Sequence, residues 1–325
     1  IGATALKIIQ KKKNFFKLNF FFKNKNLNLI VKQIKKYKPE TFVIGDYEVF
    51  KKVKKEIKNQ KTQIIYSQFL DYKNLKKSDI TLSAISGIEG LKPTIEFIKK
   101  SKKILIANKE AIICGWDLIK KESKKNKTKI VPIDSEHFSI MQLFSNYKIE
   151  QIKRIYLTAS GGPFLNKRIS QLKKIKPHQA LKHPKWKMGK EISVNSSTLM
   201  NKMLELVEAQ KLFNIPNNKL NIIIHPESLV HAIIELKNGL SHFVYHETSM
   251  AIPIANAIFD NQINVNDFYE VRKNNLRSLS FRKADSKIFP MIKLKNKIFQ
   301  YNSSPIIINA ANEVLVDQFL RKKIP

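Results

Sequence analysis

A single cysteine, Cys114, leaves the chain unable to form an intrachain disulfide or a thiolate metal cage, which suits a reducing compartment. Long hydrophobic runs are also missing. No apolar stretch approaches the ~20 residues that a membrane span needs, and Ile222–Ile224 and Ile306–Ile308 have only strand length. No signal peptide stands out, because Lys17, Asn19 and Lys23 interrupt the apolar residues around Phe15–Phe22. Internal repeats are absent. Arginine is scarce, at positions 154, 168, 272, 277, 282 and 321 only, although 60 Lys+Arg against 26 Asp+Glu give a formal net charge of +34. Readers of nucleic-acid grooves favour arginine for its planar fork. The lysines here are spread in pairs and triples (Lys11–Lys13, Lys35–Lys36, Lys99–Lys100, Lys120–Lys121) instead of gathering on one element. That dispersal, with abundant Asn, Ile and Phe, points to the codon drift of an A+T-rich genome. A basic nucleic-acid-binding protein remains the alternative from another class. Either way, the field would attract a phosphorylated anion.

What is present is a foldable chain: 325 residues, 43% hydrophobic, long enough for two or three domains. Strand-like runs at Thr41–Gly45, Ile64–Tyr66, Ile80–Ile85, Ile104–Ala107 and Ile130–Ile133 alternate with helical patterns at Leu29–Tyr37, Val49–Ile57, Leu91–Lys99 and Ala111–Glu122. This βαβ rhythm predicts a parallel sheet covered on both faces. The Gly87–Gly90 turn between a strand and a helix suits a phosphate or nucleotide edge. Further on, Ile152–Leu157 predicts a strand and Ser197–Phe213 a long helix. Leu220–Ile224, Ala232–Leu236 and Leu240–Tyr245 predict more strands, the last two forming a hairpin about Asn238-Gly239. This middle block reads as α+β. Residues from Phe259 to about Asp285 read as a linker, and Asn309 begins an amphipathic helix.

Four constellations carry possible chemistry. Asp134-Ser135-Glu136 lies at a strand end, where residues two apart share a face, so two carboxylates project together. Oxygen ligands of this kind suit Mg²⁺ or Mn²⁺ better than Zn²⁺, but a third carboxylate is required. The helix from Ser197 places Ser197, Asn201, Glu205 and Glu208 on one side, beside Lys202, and Leu199, Met203, Leu206 and Val207 toward the other. His183-Pro184-Lys185-Trp186-Lys187-Met188-Gly189 sets a tryptophan in polar surroundings between Pro and Gly, which describes a lid. Asn108-Lys109-Glu110 ends another strand, where open α/β sheets bind ligands. His225 and His231 are expected to be structural or to support the site, with His231 the nearer.

Together the stretches LIANKEAII, VPIDSEHFSIMQ, LTASGGPF, HPKWKMGKEISVNSSTLMNKMLELVEAQKLF, IIIHPESLVHAII and INAANEVLVDQFL resemble, in order and spacing, the 1-deoxy-D-xylulose 5-phosphate reductoisomerases, over essentially the whole chain. The resemblance implies an α/β fold: a Rossmann-like parallel-sheet NADPH-binding domain (1–128), an α+β catalytic domain (129–260), a linker (261–286) and the start of a C-terminal helical domain (287–325). It implies NADPH-dependent rearrangement and reduction of 1-deoxy-D-xylulose 5-phosphate to 2-C-methyl-D-erythritol 4-phosphate, in isoprenoid precursor synthesis. Another metal-assisted NAD(P)-dependent oxidoreductase is the nearer alternative. By the same resemblance Asp134, Glu136 and Glu205 hold Mg²⁺ or Mn²⁺, with Co²⁺ possible. Lys109, Ser135, Ser160, His183, Ser196, Asn201 and Lys202 hold the substrate, and Trp186 and Met188 form the flap. Of these, Lys109, His183 and Trp186 join the three carboxylates as the catalytic set. Ile1, Gly2, Asn24, Lys25, Asn26, Asn108, Glu110 and Gly189 match cofactor-contacting positions, with Lys25 set to meet the NADP 2′-phosphate. A homodimer is expected, cytoplasmic in a bacterium or plastid-borne in a eukaryote, with no nucleic-acid or membrane partner. The sequence departs from the family pattern at Asn24, Ala159 and Asn195. It also starts at the Ile-Gly that ends the family's glycine-rich fingerprint and breaks off after the first helix of the C-terminal domain. This piece is therefore expected to lack both natural ends and to bind NADPH poorly.

Overall fold

The structure is a computed structural model that describes residues 1–23, 25–58, 61–67, 75–186, 188–270 and 278–325. Among them, no helix is long and apolar enough to cross a membrane.

The βαβ rhythm yields two short parallel sheets. Strands β1 (Phe20–Lys23), β2 (Thr41–Ile44) and β3 (Gln63–Tyr66) form one, in that order. Strands β4 (Ser78–Ser83), β5 (Ser101–Ile106) and β6 (Lys129–Pro132) form the other. The Asn19 amide links them, donating to the Lys77 carbonyl at 3.3 Å and lying 3.1 Å from Ser78 Oγ. The helices Leu27–Tyr37 and Tyr47–Glu56 bury Ile30, Ile34 and Val53 on the first sheet, against Phe42 and Ile44. On the second sheet, Leu91–Lys99 and Lys109–Asn126 bury Phe97, Ile98, Ile112 and Ile119 against Ile104 and Ile106. The other face is covered by Gly2–Lys11 and Ala251–Phe259, through Ala5, Ile8, Ile254 and Ile258.

The middle block is a five-stranded mixed sheet built from β7 (Ile152–Ala159), β8 (Leu220–Ile224), β9 (Val230–Leu236), β10 (Ser241–Tyr245) and β11 (Arg282–Lys283). Its order is β10-β9-β7-β8-β11. β9 and β10 form the hairpin expected about Asn238-Gly239, where Gly239 has φ +89°. The main core lies between this sheet and the helix Met200–Phe213, where Met203, Leu206 and Val207 meet Ile155, Leu157 and Ile234. At the C-terminal end Ser304–Leu320 is helical, starting five residues before the Asn309 expected, with Pro305 near its start.

Three local expectations change. The helix expected from Ser197 is two helices, Lys190–Ser197 and Met200–Phe213. The chain turns between them at Leu199, whose φ of +63° is held by burial against Ala159, Ile224 and Phe289. Residues 134–136 are not extended. The strand ends at Pro132, Asp134 is the N-cap of helix Ser135–Phe144, and Glu136 lies in its first turn. The presumed linker contributes β11, which pairs with β8; its residues 271–277 lie outside the described ones.

Candidate active site

The Asp134–Glu136 pair meets Glu205 at the junction of the second parallel sheet and the mixed sheet. One carboxylate oxygen from each of the three residues lies within 4.8 Å of the others. Local folding explains the convergence. An N-cap aspartate normally accepts hydrogen bonds from the first turn, yet the Asp134 side chain makes no capping bond and stays available. The same helix N-terminus favours negative charge at Asp134 and Glu136. Glu205 comes from the second turn of Met200–Phe213, only 1% exposed.

Two lysines answer this charge. Lys109, buried at the start of its helix, places Nζ 2.6 Å from Asn201 Oδ1 and 3.4 Å from both Asp134 Oδ2 and Glu205 Oε1. Lys202 Nζ pairs with Glu136 Oε1 and lies 2.7 Å from Glu205 Oε2. Burial alone would lower the pKa of both ammoniums. The carboxylates of Glu205 and Asp134 around Lys109, and of Glu136 and Glu205 around Lys202, outweigh it and hold both above the ordinary lysine value. Burial would likewise raise Glu136, but Lys202 and the Ser135 hydroxyl, donating at 2.6 Å, bring it below the carboxylate range. For Glu205 burial wins, and its carboxyl lies above that range.

His137 and Glu208 stand behind the trio. The carbonyl of Glu205 can only accept, so His137 Nε2 donates to it at 2.9 Å. Its Nδ1 then faces Glu208 Oε2 at 3.4 Å. Burial pushes Glu208 up to about 7. Sequence reasoning put Glu208 on the polar side of a helix and left His137 without a role. Because a polar stripe reads the same buried or solvated, only the burial of both residues reveals their part in the cluster.

Charge and geometry together fit a divalent cation. Around octahedral Mg²⁺ with bonds of ~2.1 Å, ligand oxygens lie ~3 to ~4.2 Å apart, so small side-chain adjustments would close the trio. Three carboxylates (Asp134, Glu136, Glu205) surround the two ammoniums, with Glu208 behind them against His137, and a cation at the trio would favour the charged form of the raised Glu205 carboxyl.

Ser160 and His183 form a second polar group, within the field of Lys202. Backbone N–H groups of Lys185 and Trp186 donate to His183 Nδ1 at 3.2 and 2.9 Å, so the ring proton sits on Nε2, 3.0 Å from Ser160 Oγ. Burial, aided by the Lys202 ammonium, lowers the His183 pKa to about 4. Ser160 Oγ also accepts from Gly162 N at 3.1 Å. Gly162, at φ +62°, passes so close to Ser196 and Ser197 that a Cβ would lie 3.1 Å from their backbone. Ser196 is thereby brought beside this loop. Asn195 Oδ1 accepts from Asn312 at 2.9 Å, tying the segment to the C-terminal helix. The Trp186 ring stands edge-on to His231, 6.2 Å between centroids. His225 is occupied by the Ser280 carbonyl and the Leu229 N–H.

The expected cofactor positions are more scattered. Asn108 is 3% exposed and used structurally: its Oδ1 caps Ala111 N at 2.6 Å, while Nδ2 donates to the Gly87 carbonyl at 2.8 Å. The amide so fills the space at Gly90 that a Cβ there would collide with it. Glu110 follows in the first turn, and Gly189 caps Lys190–Ser197. Lys25 is exposed, and Asn26 caps Leu27–Tyr37 by accepting from Leu29 N at 3.1 Å. Ile1 and Gly2 begin the first helix. Asn24 and Lys187 lie outside the described residues.

Comparison with known proteins agrees along the chain. Residues 1–115 match the family model described as 1-deoxy-D-xylulose 5-phosphate reductoisomerase. Residues 130–213 match its C-terminal domain, and residues 246–325 match a further DXP reductoisomerase C-terminal domain. The reductoisomerase of Pelagibacter ubique is 43% identical over 100% of this chain and 84% of its own length. That of Clostridium novyi is 39% identical over 100% and 86%. The Zymomonas mobilis enzyme, solved in complex with NADPH, superposes with a TM-score of 0.89 at 29% identity, covering 99% of this chain and 84% of that one. A DOX-P reductoisomerase bound to NADPH, fosmidomycin and magnesium gives 0.90 at 30%, covering 99% and 83%.

Proposed function

The chain belongs to the 1-deoxy-D-xylulose 5-phosphate reductoisomerase family, and on that premise we propose how its residues divide the NADPH- and divalent-metal-dependent conversion of 1-deoxy-D-xylulose 5-phosphate to 2-C-methyl-D-erythritol 4-phosphate. One observation carries the reading: three carboxylates from two distant elements gather beside two buried lysines. Asp134, Glu136 and Glu205 would hold Mg²⁺ or Mn²⁺, with Co²⁺ a third candidate. When bound, the ion supplies Lewis-acid polarisation of the substrate's carbonyl and adjacent hydroxyl oxygens.

The remaining roles belong to side chains. Lys109, tethered to Asn201, directs a positive charge at the reacting end from the cofactor side. Ser135, Ser160, Ser196, Asn201 and Lys202 bind phosphate and backbone oxygens, giving binding energy away from the reacting carbons. His183, kept neutral by burial, donates from Nε2 at the Ser160 position. Trp186 and Met188 close over the substrate and exclude water. NADPH would lie along Ile1, Gly2, Lys25, Asn26, Glu110 and Gly189. Asn108 would act through the turn it braces, because its amide is already engaged. Residues 1–128 would make the nucleotide-binding unit, its second sheet completed by β6, and residues 129–260 would carry the chemistry. A homodimer in the bacterial cytoplasm or a plastid completes the proposal.

Following NADPH absorbance tests it. Oxidation should require both the deoxyxylulose phosphate and a divalent ion. Turnover with other keto-phosphates but not this one would favour the wider oxidoreductase reading.

A further inference from the structure

β9 and β10 pair regularly from Ser241↔Glu235 to Val244↔Ala232, but the next pair is Tyr245↔Val230. His231 is therefore the extra residue of a β-bulge. Bulges re-aim a side chain, and they concentrate beside active sites. Two groups secure this one. The buried Thr158 hydroxyl donates to the Val230 carbonyl at 2.6 Å, with the His231 carbonyl 3.2 Å away. His246 N donates to the Leu229 carbonyl at 2.9 Å.

The bulge lays the His231 ring flat on the ring of His246, 3.8 Å between centroids and 14° between planes. His231 Nε2 faces the His246 carbonyl at 3.2 Å and must be the donor there, which fixes its tautomer. His246 Nδ1 in turn donates to the Glu247 carbonyl at 2.8 Å. His246 Nε2 has no hydrogen-bond partner among the described residues, and His246 is only 8% exposed. Burial lowers the pKa of both imidazoles. Trp186 meets the His231 member of the pair edge-on, 6.2 Å between centroids. Neither the metal cluster nor the phosphate-binding set uses His246.

We infer that His246 is a positioning residue: with the Thr158-held bulge it fixes the plane and tautomer of His231, giving the Trp186 flap a preformed surface on which to close. This rests on the proposed flap. A flat ring is the essential property, because stacking needs a planar face and the bond from His231 goes to the His246 backbone.

The test uses Trp186 fluorescence in a Trp116→Phe background, titrated with 1-deoxy-D-xylulose 5-phosphate, together with steady-state kinetics. His246→Phe keeps the flat face and should close the flap at nearly the unmutated concentration. His246→Leu fills similar space without it, and should need about tenfold more substrate, a change of about 1.4 kcal/mol, with KM rising more than kcat falls. Equal closure by the Phe and Leu variants overturns the inference. If the Leu variant fails to fold by circular dichroism, Thr158→Val must weaken closure in its place, and closure at the unmutated concentration then overturns it. An unmutated protein that ignores the deoxyxylulose phosphate would contradict the functional reading itself.

Discussion

Two lysine–carboxylate groups in this molecule have nearly the same chemistry and very different surroundings. At the site, Lys202 (8% exposed) pairs with Glu136 and with Glu205 (1%). At the start of β2, Glu40 (31%) pairs at 2.8 and 2.9 Å with Lys17 and Lys76, which are 77% and 72% exposed. The distances alone would rank them together. Burial separates them, because charges removed from water interact strongly and are costly to leave alone, whereas exposed pairs are screened. Among the described residues three lysines are buried: Lys109 and Lys202 gather at the carboxylate cluster, whereas Lys103 braces Asp260 and the carbonyls of Ala257 and Ile258.

The largest expected effect tests the buried group. Glu205→Gln keeps the shape but removes one carboxylate of the proposed metal site, and should lower kcat by at least about 100-fold, equivalent to about 3 kcal/mol. Metal-dependent turnover surviving that change would take Glu205 out of the ligand set. Next comes Lys202→Met, which leaves Glu136 without its ammonium and Glu205 with Lys109 alone. In metal-free buffer it should destabilise the fold by about 3 kcal/mol in urea titration. Added Mg²⁺ or Mn²⁺ should restore more stability to this variant than to the unmutated protein, since the cation replaces the missing charge. Equal gains in both would mean that metal and lysine do not compensate the same carboxylates.

The sequence shows the same contrast between chemistry and surroundings. The βαβ rhythm and the hairpin were legible because they depend on period and residue type; period set Glu205 and Glu208 on one side of a helix, and the family resemblance singled out Glu205. The conformation of Asp134 and Glu136 was not. Two residues apart reads as one face of a strand, but here they are the cap and first turn of a helix. Their carboxylates still converge, for a different geometric reason. The break at Leu199 was equally hidden. Leucine has no preference for positive φ, and the turn exists because the side chain is buried between β7, β8 and Phe289. β1 escaped as well, since Phe20-Phe21-Phe22 has no alternation to betray a strand. His137, Glu208 and the His231–His246 stack depend on what lies across the fold, which spacing along the chain does not encode.

A smaller effect lies between the two extremes, at half-buried His183. Its folded pKa of about 4 lies below the ~6.5 of an unfolded histidine. Between those values the unfolded chain binds more protons, so its contribution to stability is complete above about pH 6.5 and declines as pH falls toward 4. NMR should find the His183 ring neutral at pH 5.5. Lys202→Met should move its midpoint upward by removing a neighbouring positive charge. A midpoint near 6.5 in the unmutated protein would place the ring in water.

The smallest expected effect is Glu40→Gln. The ammoniums of Lys17 and Lys76 hold the Glu40 carboxyl at about 2, well below the usual range. In NMR titration Lys76→Met should raise that midpoint, because one of the two charges responsible is gone. Stability should hardly respond. The backbone of Glu40 stays in the ladder through Leu18 and Gln63 whichever side chain it carries. The lost attraction ran between side chains that water and salt already screen. Melting curves of Glu40→Gln and the unmutated protein should therefore coincide in both low and high salt. If Glu40→Gln instead melted as early as Lys202→Met, ion-pair strength here would follow contact distance instead of burial, and the buried lysines would lose their claim to be special.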